Sequence, residues 1–535
     1  MVDGHCRVLL VHPRFNSSSF WNYKATCEMV GAKYPAPPLG LITVASMLPK
    51  EWDVRLIDRN AGELTDDDIL SADMVMTGGM LPQQADTLWI IRRCRELEVP
   101  VVVGGPDPMT SPHIYERANF LVLGEAEGIL DKFLEAWQAG DREGRFTAEK
   151  FKADVSTTPI PRFDLLTFKD YVQVGVQFSR GCPFTCEFCD IIELYGRVPR
   201  TKSSAQMLAE LDNLYALGYR GHVDFVDDNL IGNKKAVKAF LPELIAWQKA
   251  HNYPFEMSTE ASLNLADDKA LLTMMQEAGF FTVFVGIESP DPEVLIATRK
   301  KQNTRRDIAK SVHQIYNAGI TVIAGFIVGF DEESDQVADE ITALIEEAAI
   351  PVAMTGLLYA LPTTQLTRRL QAEGRLHDDF GLDDPDTLDG DQCTAGLNFE
   401  TKRPRAQILS DFRKVVDRVY APDAYFGRVK KVASMLNTSG ANQALLGAGF
   451  GHDLQMFGRL VWSMTFSKHA QRWLFWSTIF WCLTHRPSTL KPVLVMMALY
   501  VHLGPFSRFV LTQIDAQIAA VEDGSWEKPG LVAAE

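Results

Sequence analysis

The chain has 535 residues, of which 46% are hydrophobic and 23% charged, and a formal net charge of −16. That balance describes a soluble globular protein of about three or four domains and excludes a general nucleic-acid binder, which must present a basic surface to phosphates. Eight cysteines over this length make no secreted disulfide framework. With no basic leader ahead of the first apolar strand, a reducing, cytoplasmic setting is expected.

From the N-terminus, short apolar runs alternate with helical ones. The pattern predicts strands at Arg7–Val11, Asp53–Ile57, Met74–Thr77, Val101–Val103 and Phe120–Leu123, with helices such as Gly40–Leu48 and Ala85–Leu97 between them. Such alternation means a doubly wound parallel sheet, an α/β Rossmann-like unit, which binds ligands beyond the carboxyl ends of its strands. Those ends carry His12-Pro13, Asp58, Gly78-Gly79, Gly104-Gly105-Pro106 and Gly124-Glu125. Glycine there lets the backbone come close to a large flat ligand. No G-x-G-x-x-G follows the first strand, so a dinucleotide is not expected. His12 reads as a turn residue rather than a metal ligand.

A second alternation begins near residue 170. Strands are predicted at Val172–Ser179, His222–Asp227, Phe255–Ala261, Phe281–Glu288, Ile320–Val328 and Val352–Tyr359, with five helices between them. Six strands with helical crossovers suggest an open, partial (β/α)6 barrel, whose chemistry belongs at the C-terminal mouth. Directly after its first strand comes Cys182-Pro-Phe-Thr-Cys186-Glu-Phe188-Cys189. Three thiolates on one loop can each hold one iron of a four-iron cluster and leave the fourth iron open. A structural zinc site would want a fourth ligand, and the next histidine is His222. The other strand ends carry Asp227-Asp228, Glu260, Glu288 and Gly325.

The C-terminal segment reads as mainly helical. Between Thr401 and Ala520 there are fifteen Lys/Arg and five Asp/Glu, so a segment of net +10 sits on a remainder of −26; such asymmetry marks a partner surface. Trp473–Leu483 is intensely aromatic and Val493–Leu503 is apolar, flanked by Lys468, Arg472, Arg486, Lys491 and Arg508. The pattern suits a pair of interfacial helices peripheral on a membrane, or core helices of a small cap. Neither run approaches the roughly 20 residues needed to span a bilayer.

The cysteine loop closely resembles that of the radical S-adenosylmethionine (SAM) superfamily. The N-terminal motifs Pro37-Pro38-Leu39-Gly40, Asp58, Gly104-Gly105-Pro106 and Gly124-Glu125 together look like the cobalamin-binding domain that precedes many radical SAM domains. Tyr420-Ala-Pro-Asp-Ala-Tyr425-Phe426-Gly-Arg428 resembles a signature of the branch containing hopanoid C-2 methylases and bacteriochlorophyll side-chain methyltransferases. The resemblance implies a cobalamin domain at 1–147, a linker at 148–169, a radical SAM domain at 170–390 and a helical accessory domain at 391–535. It implies a 4Fe-4S cluster on Cys182, Cys186 and Cys189. SAM would meet Phe188, Asp227, Asp228, Glu260, Glu288 and Gly325. Methylcobalamin would meet Asp58, Gly104, Gly105, Gly124 and Glu125, with no histidine supplied to its lower face. A low-potential donor of flavodoxin or ferredoxin type would reduce the cluster. The implied reaction is methyl transfer to an unactivated carbon of a hydrophobic substrate, a hopanoid first and a tetrapyrrole second. A non-methylating rearrangement and a tRNA modification are further alternatives. Cys393, just past the barrel, is the one remaining cysteine considered as an extra thiol; Cys6, Cys27, Cys94 and Cys482 read as packing residues.

Overall fold

The computed structural model describes residues 5–16, 19–378, 393–438, 457–467, 471–526 and 530–531. Two parallel six-stranded sheets organise it. The first has the order β2-β1-β3-β4-β5-β6, from β1 (Arg7–His12), β2 (Asp53–Asp58), β3 (Met74–Gly78), β4 (Val101–Gly104), β5 (Phe120–Leu123) and β6 (Gly144–Thr147). Five of these match the sequence pattern to within a residue or two. The sixth, Gly-Arg-Phe-Thr, was not expected. It is an edge strand with two exposed positions, so it lacks the apolar run that betrays a buried strand.

The second sheet runs β14-β13-β12-β11-β10-β7: β7 (Gln173–Val176), β10 (Gly221–Phe225), β11 (Phe255–Glu260), β12 (Phe280–Glu288), β13 (Thr321–Val328) and β14 (Val352–Leu357). All its pairings are parallel, as the predicted open barrel requires. The predicted first strand stops early. After Val176 the chain leaves the sheet, and Ser179–Arg180 (β8) pairs antiparallel with Arg200–Thr201 (β9), closing a ribbon around the cysteine loop.

Residues facing out of the second sheet are core: Val174, Val176, Val223, Phe225, Met257, Val283, Val285 and Ala324 are all fully buried against the surrounding helices. Side chains alternate across a strand, so the intervening residues line the barrel interior. At the carboxyl end of the first sheet, two glycines are required by packing. A Cβ on Gly78 would lie 2.2 Å from the Gly104 carbonyl oxygen, and one on Gly104 would lie 2.9 Å from that of Val122.

The C-terminal segment departs from its expected element lengths. The apolar run Val493–Leu503 belongs to one continuous helix, Leu490–Glu522, of 33 residues, which carries Pro505 in its interior. Within Pro487–Glu522 an 18-residue window reaches a mean hydropathy of 1.5, so by length and composition alone this helix is long enough to cross a membrane, but 61% of that window is buried in the protein. It packs most heavily on Arg405–Val419 and also touches Pro422–Met435. Tyr425 donates from its hydroxyl to the Met496 carbonyl (2.7 Å), and Tyr500 to that of Tyr420 (2.9 Å). The aromatic run forms the helix Arg472–His485, which buries Phe475 and Ile479 and leaves Trp473 80% and Phe480 70% exposed. Lys468 and the 390/391 boundary lie outside the described residues.

Candidate active site

A cavity of about 1000 Å³ lies between the two sheets. The carboxyl ends of the first sheet form one wall, through Gly78-Gly79, Gly104-Gly105 and Gly124-Glu125. The barrel interior forms another, and the Leu490–Glu522 helix closes the far end with Pro492, Val495, Met496 and Leu499. Gly40 also lines it, and a Cβ there would meet nothing within 4 Å, so this part of the wall faces open space.

The cysteine loop is anchored by its neighbours. Gly181, at φ +96°, turns the chain so closely that a Cβ would lie 2.8 Å from the Gly196 carbonyl oxygen. Buried Asp227 accepts from the Phe178 N–H (2.9 Å) and from both the N–H and hydroxyl of Ser179. Burial pushes its carboxyl up to about 7, against the pull of those donors. Asp228 accepts from the Gly181 N–H at 3.4 Å. Both acids therefore hold the backbone that leads into Cys182. The side-chain amide of Asn229 reaches the Cys182 sulfur (3.8 Å) and that of Gln302 the Cys186 sulfur (3.6 Å). The Oε1 of Gln302 and the Oδ1 of its neighbour Asn303 are buried without a partner among the described residues. Burial pushes the Cys182 and Cys189 thiols up, the latter strongly, so ionising them takes compensating positive charge such as iron provides. None of the eight cysteines is in a disulfide. Among the described residues, no three His, Cys, Asp or Glu converge closely enough to hold a single metal ion.

Two features here were not read from the sequence. Arg180, just before Gly181, forms ion pairs with Glu125 (3.1 Å) and Glu127 (2.8 Å), while Arg200 pairs with Glu125 at 2.8 Å. The ribbon around the cysteine loop is thus clamped to the carboxyl end of β5. The second feature is Lys300, buried and paired with Glu288 at 2.5 Å. Burial alone would lower the Lys300 ammonium, but Glu288 outweighs it and holds the group above its ordinary range. Glu288 sits at φ +70°, and a Cβ on Gly286 would strike both partners. Phe188 packs against Phe330 at 5.8 Å, with the Lys300 ammonium 5.8 Å from its ring. A Cβ on Gly325 would lie 3.0 Å from the Phe284 ring, so its lack of a side chain makes room for that ring. Only arginines and lysines that meet acids distant in sequence reveal such pairs, and no spacing rule finds them.

Of the residues expected on the first sheet, Gly104, Gly105, Gly124 and Glu125 line the cavity. Asp58 stands behind it. Its carboxylate takes the His12 Nδ1 at 3.1 Å, the Asn60 N–H at 2.9 Å and the Tyr171 hydroxyl at 3.0 Å. Burial would raise it, but the His12 contact and the other donors hold it below the usual carboxylate range. The other ring nitrogen of His12 meets Gln83 Nε2 at 2.9 Å, so both nitrogens are already engaged. Glu260 is exposed to the cavity, whose walls limit hydration of its carboxyl and, helped by Asp228, push it up to about 8. Cys393 is buried against the Thr355 carbonyl (3.3 Å) and is absent from the cavity wall.

Residues 176–345 match the radical SAM superfamily, and residues 364–516 match a domain of unknown function, DUF4070. The chain is 41% identical to an uncharacterised methyltransferase of Synechocystis over 96% of its length and 94% of the relative's. It is 37% identical to the hopanoid C-2 methylase of Rhodopseudomonas palustris over 79% of this chain and 78% of that one. Among solved structures, its fold is similar to the cobalamin-dependent radical SAM enzyme OxsB (TM-score 0.59, 15% identity, 98% of this chain and 82% of that one). It is also similar to the methyltransferase TsrM of Kitasatospora setae (TM-score 0.52, 16% identity, 69% and 75%). The chain belongs to the radical SAM methyltransferases. That class works with a 4Fe-4S cluster and SAM, and three thiols on one anchored loop, two of them touched by amide N–H groups, are a donor set that fits such a cluster.

Proposed function

We propose that this protein is a cobalamin-dependent radical SAM methyltransferase that methylates an unactivated carbon of a hopanoid, at C-2. The observation that carries the reading is one continuous cavity, which joins the glycine-lined end of one parallel sheet to the interior of a barrel beside the cysteine loop. The 37% identity to a hopanoid C-2 methylase supports the substrate. The unit boundaries that go with it are 1–147, 148–169, 170–390 and 391–535.

In this reading Cys182, Cys186 and Cys189 hold the cluster. Phe188, Glu260, Glu288 and Gly325 shape the SAM site, while Asp227 and Asp228 fix the loop beneath it. Gly104, Gly105, Gly124 and Glu125 face the cobalamin, and Asp58 braces the wall behind them by holding His12 in place. When bound, the cluster and SAM supply a hydrogen-abstracting radical and the cobalamin supplies the methyl group. The chain's own work is to hold the two cofactor walls in register, through Arg180 and Arg200, and to keep a dry pocket between them. A flavodoxin- or ferredoxin-type protein is the proposed electron source, and the exposed face of Arg472–His485 is the proposed contact with lipid.

The test is mass spectrometry of lipids from a hopanoid-making host that lacks its own methylase, fed methyl-deuterated methionine. Hopanoids gaining one labelled methyl, and losing it with Cys186→Ala, are the expected result. Unchanged hopanoids from soluble, cluster-loaded protein would overturn the substrate. A relative at 23% identity, the bacteriochlorophyllide d C-12(1)-methyltransferase of Chlorobaculum tepidum, makes a tetrapyrrole the next substrate to try.

A further inference from the structure

The barrel interior is not uniformly apolar. Strand register places Asp224, Ser258, Thr282 and Thr321 side by side in one inward-facing row. The next row toward the cysteine loop is Glu260, Phe284 and Ile323. Each inward row is about 7 Å from the next along the strands. The polar row therefore lies deep, on the side away from the loop, and all seven residues line the cavity.

Within that row the side chains form a chain of hydrogen bonds. The Ser258 hydroxyl donates to Asp224, whose other oxygen accepts from the Gln173 amide at 3.3 Å. His222, one position deeper on β10, lies with Nε2 2.6 Å from the Ser258 oxygen. Since Ser258 spends its proton on Asp224, Nε2–H is the donor and Nδ1 is left as an acceptor. No described residue partners that Nδ1. Burial holds the imidazole down to about 4, so it is neutral at ordinary pH. Beneath, Glu256 is tied to Lys491 of the long C-terminal helix at 2.5 Å. What this end of the cavity offers a ligand is therefore acceptor capacity: a ring nitrogen and a carboxyl group. A hydroxyl brings the donor such a site lacks, whereas a carboxylate brings none and meets Asp224.

We infer that His222, Ser258 and Asp224 form the specificity site of this cavity, holding a hydroxyl at one end of a rigid apolar substrate so that the opposite end stands at the cofactor walls. The inference rests on the lipid reading above and deepens it, because it says which end of the molecule is methylated: the one farthest from the hydroxyl. A site built to pair a hydroxyl discriminates strongly against an analogue lacking it, since its own polar groups are then left unpaired.

The test measures binding by quenching of tryptophan fluorescence (Trp21 lines the cavity) in the full-length, cofactor-loaded protein. The probes are a hopanoid with one hydroxyl on its side chain, the same hopanoid without it, and protoporphyrin IX. The wild type should prefer the alcohol by at least about tenfold, the range of a hydrogen bond to a charged group. Ser258→Ala and Asp224→Asn should each bring that preference within about twofold, by weakening the alcohol, by tightening the hydrocarbon, or both. Near-ultraviolet circular dichroism shows which variants are folded, and either one suffices. Equal binding of both hopanoids by the wild type, or a preference that survives both substitutions, overturns the inference and leaves the lipid reading standing. Binding of protoporphyrin but neither hopanoid overturns both.

Discussion

The first sheet meets the shared cavity mainly with backbone: Gly78, Gly79, Gly104, Gly105 and Gly124 form its rim, and the acids nearby are spent on structural pairs. The second sheet meets it with side chains, in rows whose character changes from polar at depth to a mixed row of Glu260, Phe284 and Ile323 nearer the loop. A glycine rim accommodates a large flat ligand without reading its edges. Graded rows read one molecule from end to end. One cavity thus combines a permissive wall and a selective one, and the Arg180–Glu125–Glu127 clamp sets the distance between them.

Four perturbations would break or sharpen that contrast. The largest effect is expected at the cysteine loop, where Cys186→Ala should abolish reductive SAM cleavage, read as 5′-deoxyadenosine by chromatography. Cleavage surviving in that variant would remove the loop from the chemistry. Next, Arg180→Met should cost about 3–5 kcal/mol in denaturant unfolding, the usual consequence of leaving buried charges unpaired, because its side chain is only 13% exposed and both acids are buried. A change of a few tenths would show that the walls are held together elsewhere.

A smaller, pH-dependent effect is expected at Glu260. Its folded-state pKa of about 8 lies above the ordinary 4.5, chiefly because the cavity walls around it cut down hydration of the carboxylate, although the side chain is open to the cavity. The folded state then binds the extra proton, so the contribution to stability is fully present below about pH 4.5 and is lost as pH rises toward 8. Glu260→Gln should flatten that part of the Tm-against-pH curve of the ligand-free protein; an unchanged slope would refute the assignment. The smallest effect on folding is expected at Trp473, which is 80% exposed. Trp473→Ser should stay within about 0.5 kcal/mol of wild type, yet weaken co-sedimentation with anionic phospholipid vesicles. Unaltered co-sedimentation would count against a lipid-facing role for the Arg472–His485 helix.

Much of the architecture was legible because parallel strands covered on both faces advertise themselves as apolar runs. Edge strand β6 failed that test for the same reason: half its residues are exposed. The cysteine loop was legible because its ligands are adjacent in sequence. Arg180, Lys300 and the Asp224–Ser258–His222 chain were not, because their partners come from other strands and loops. Asp227 illustrates the limit from the other side. Its place at a strand end suggested a contact with SAM, but its oxygens are occupied by Phe178 and Ser179. At the C-terminus the sequence marked only the apolar run Val493–Leu503, whereas packing on Arg405–Val419 holds 33 residues in one helix.

By itself the sequence determined the two α/β units, the three-thiol loop and the glycine rim, all of them features whose physical cause is local: side-chain period, ligand spacing and backbone freedom. The tertiary structure decided which of the marked acids face the cavity and which brace the loop, how the two walls are joined, and where polarity lies along the barrel. Those depend on register between strands dozens of residues apart, and register is settled by packing and pairing across the whole sheet rather than by any one segment.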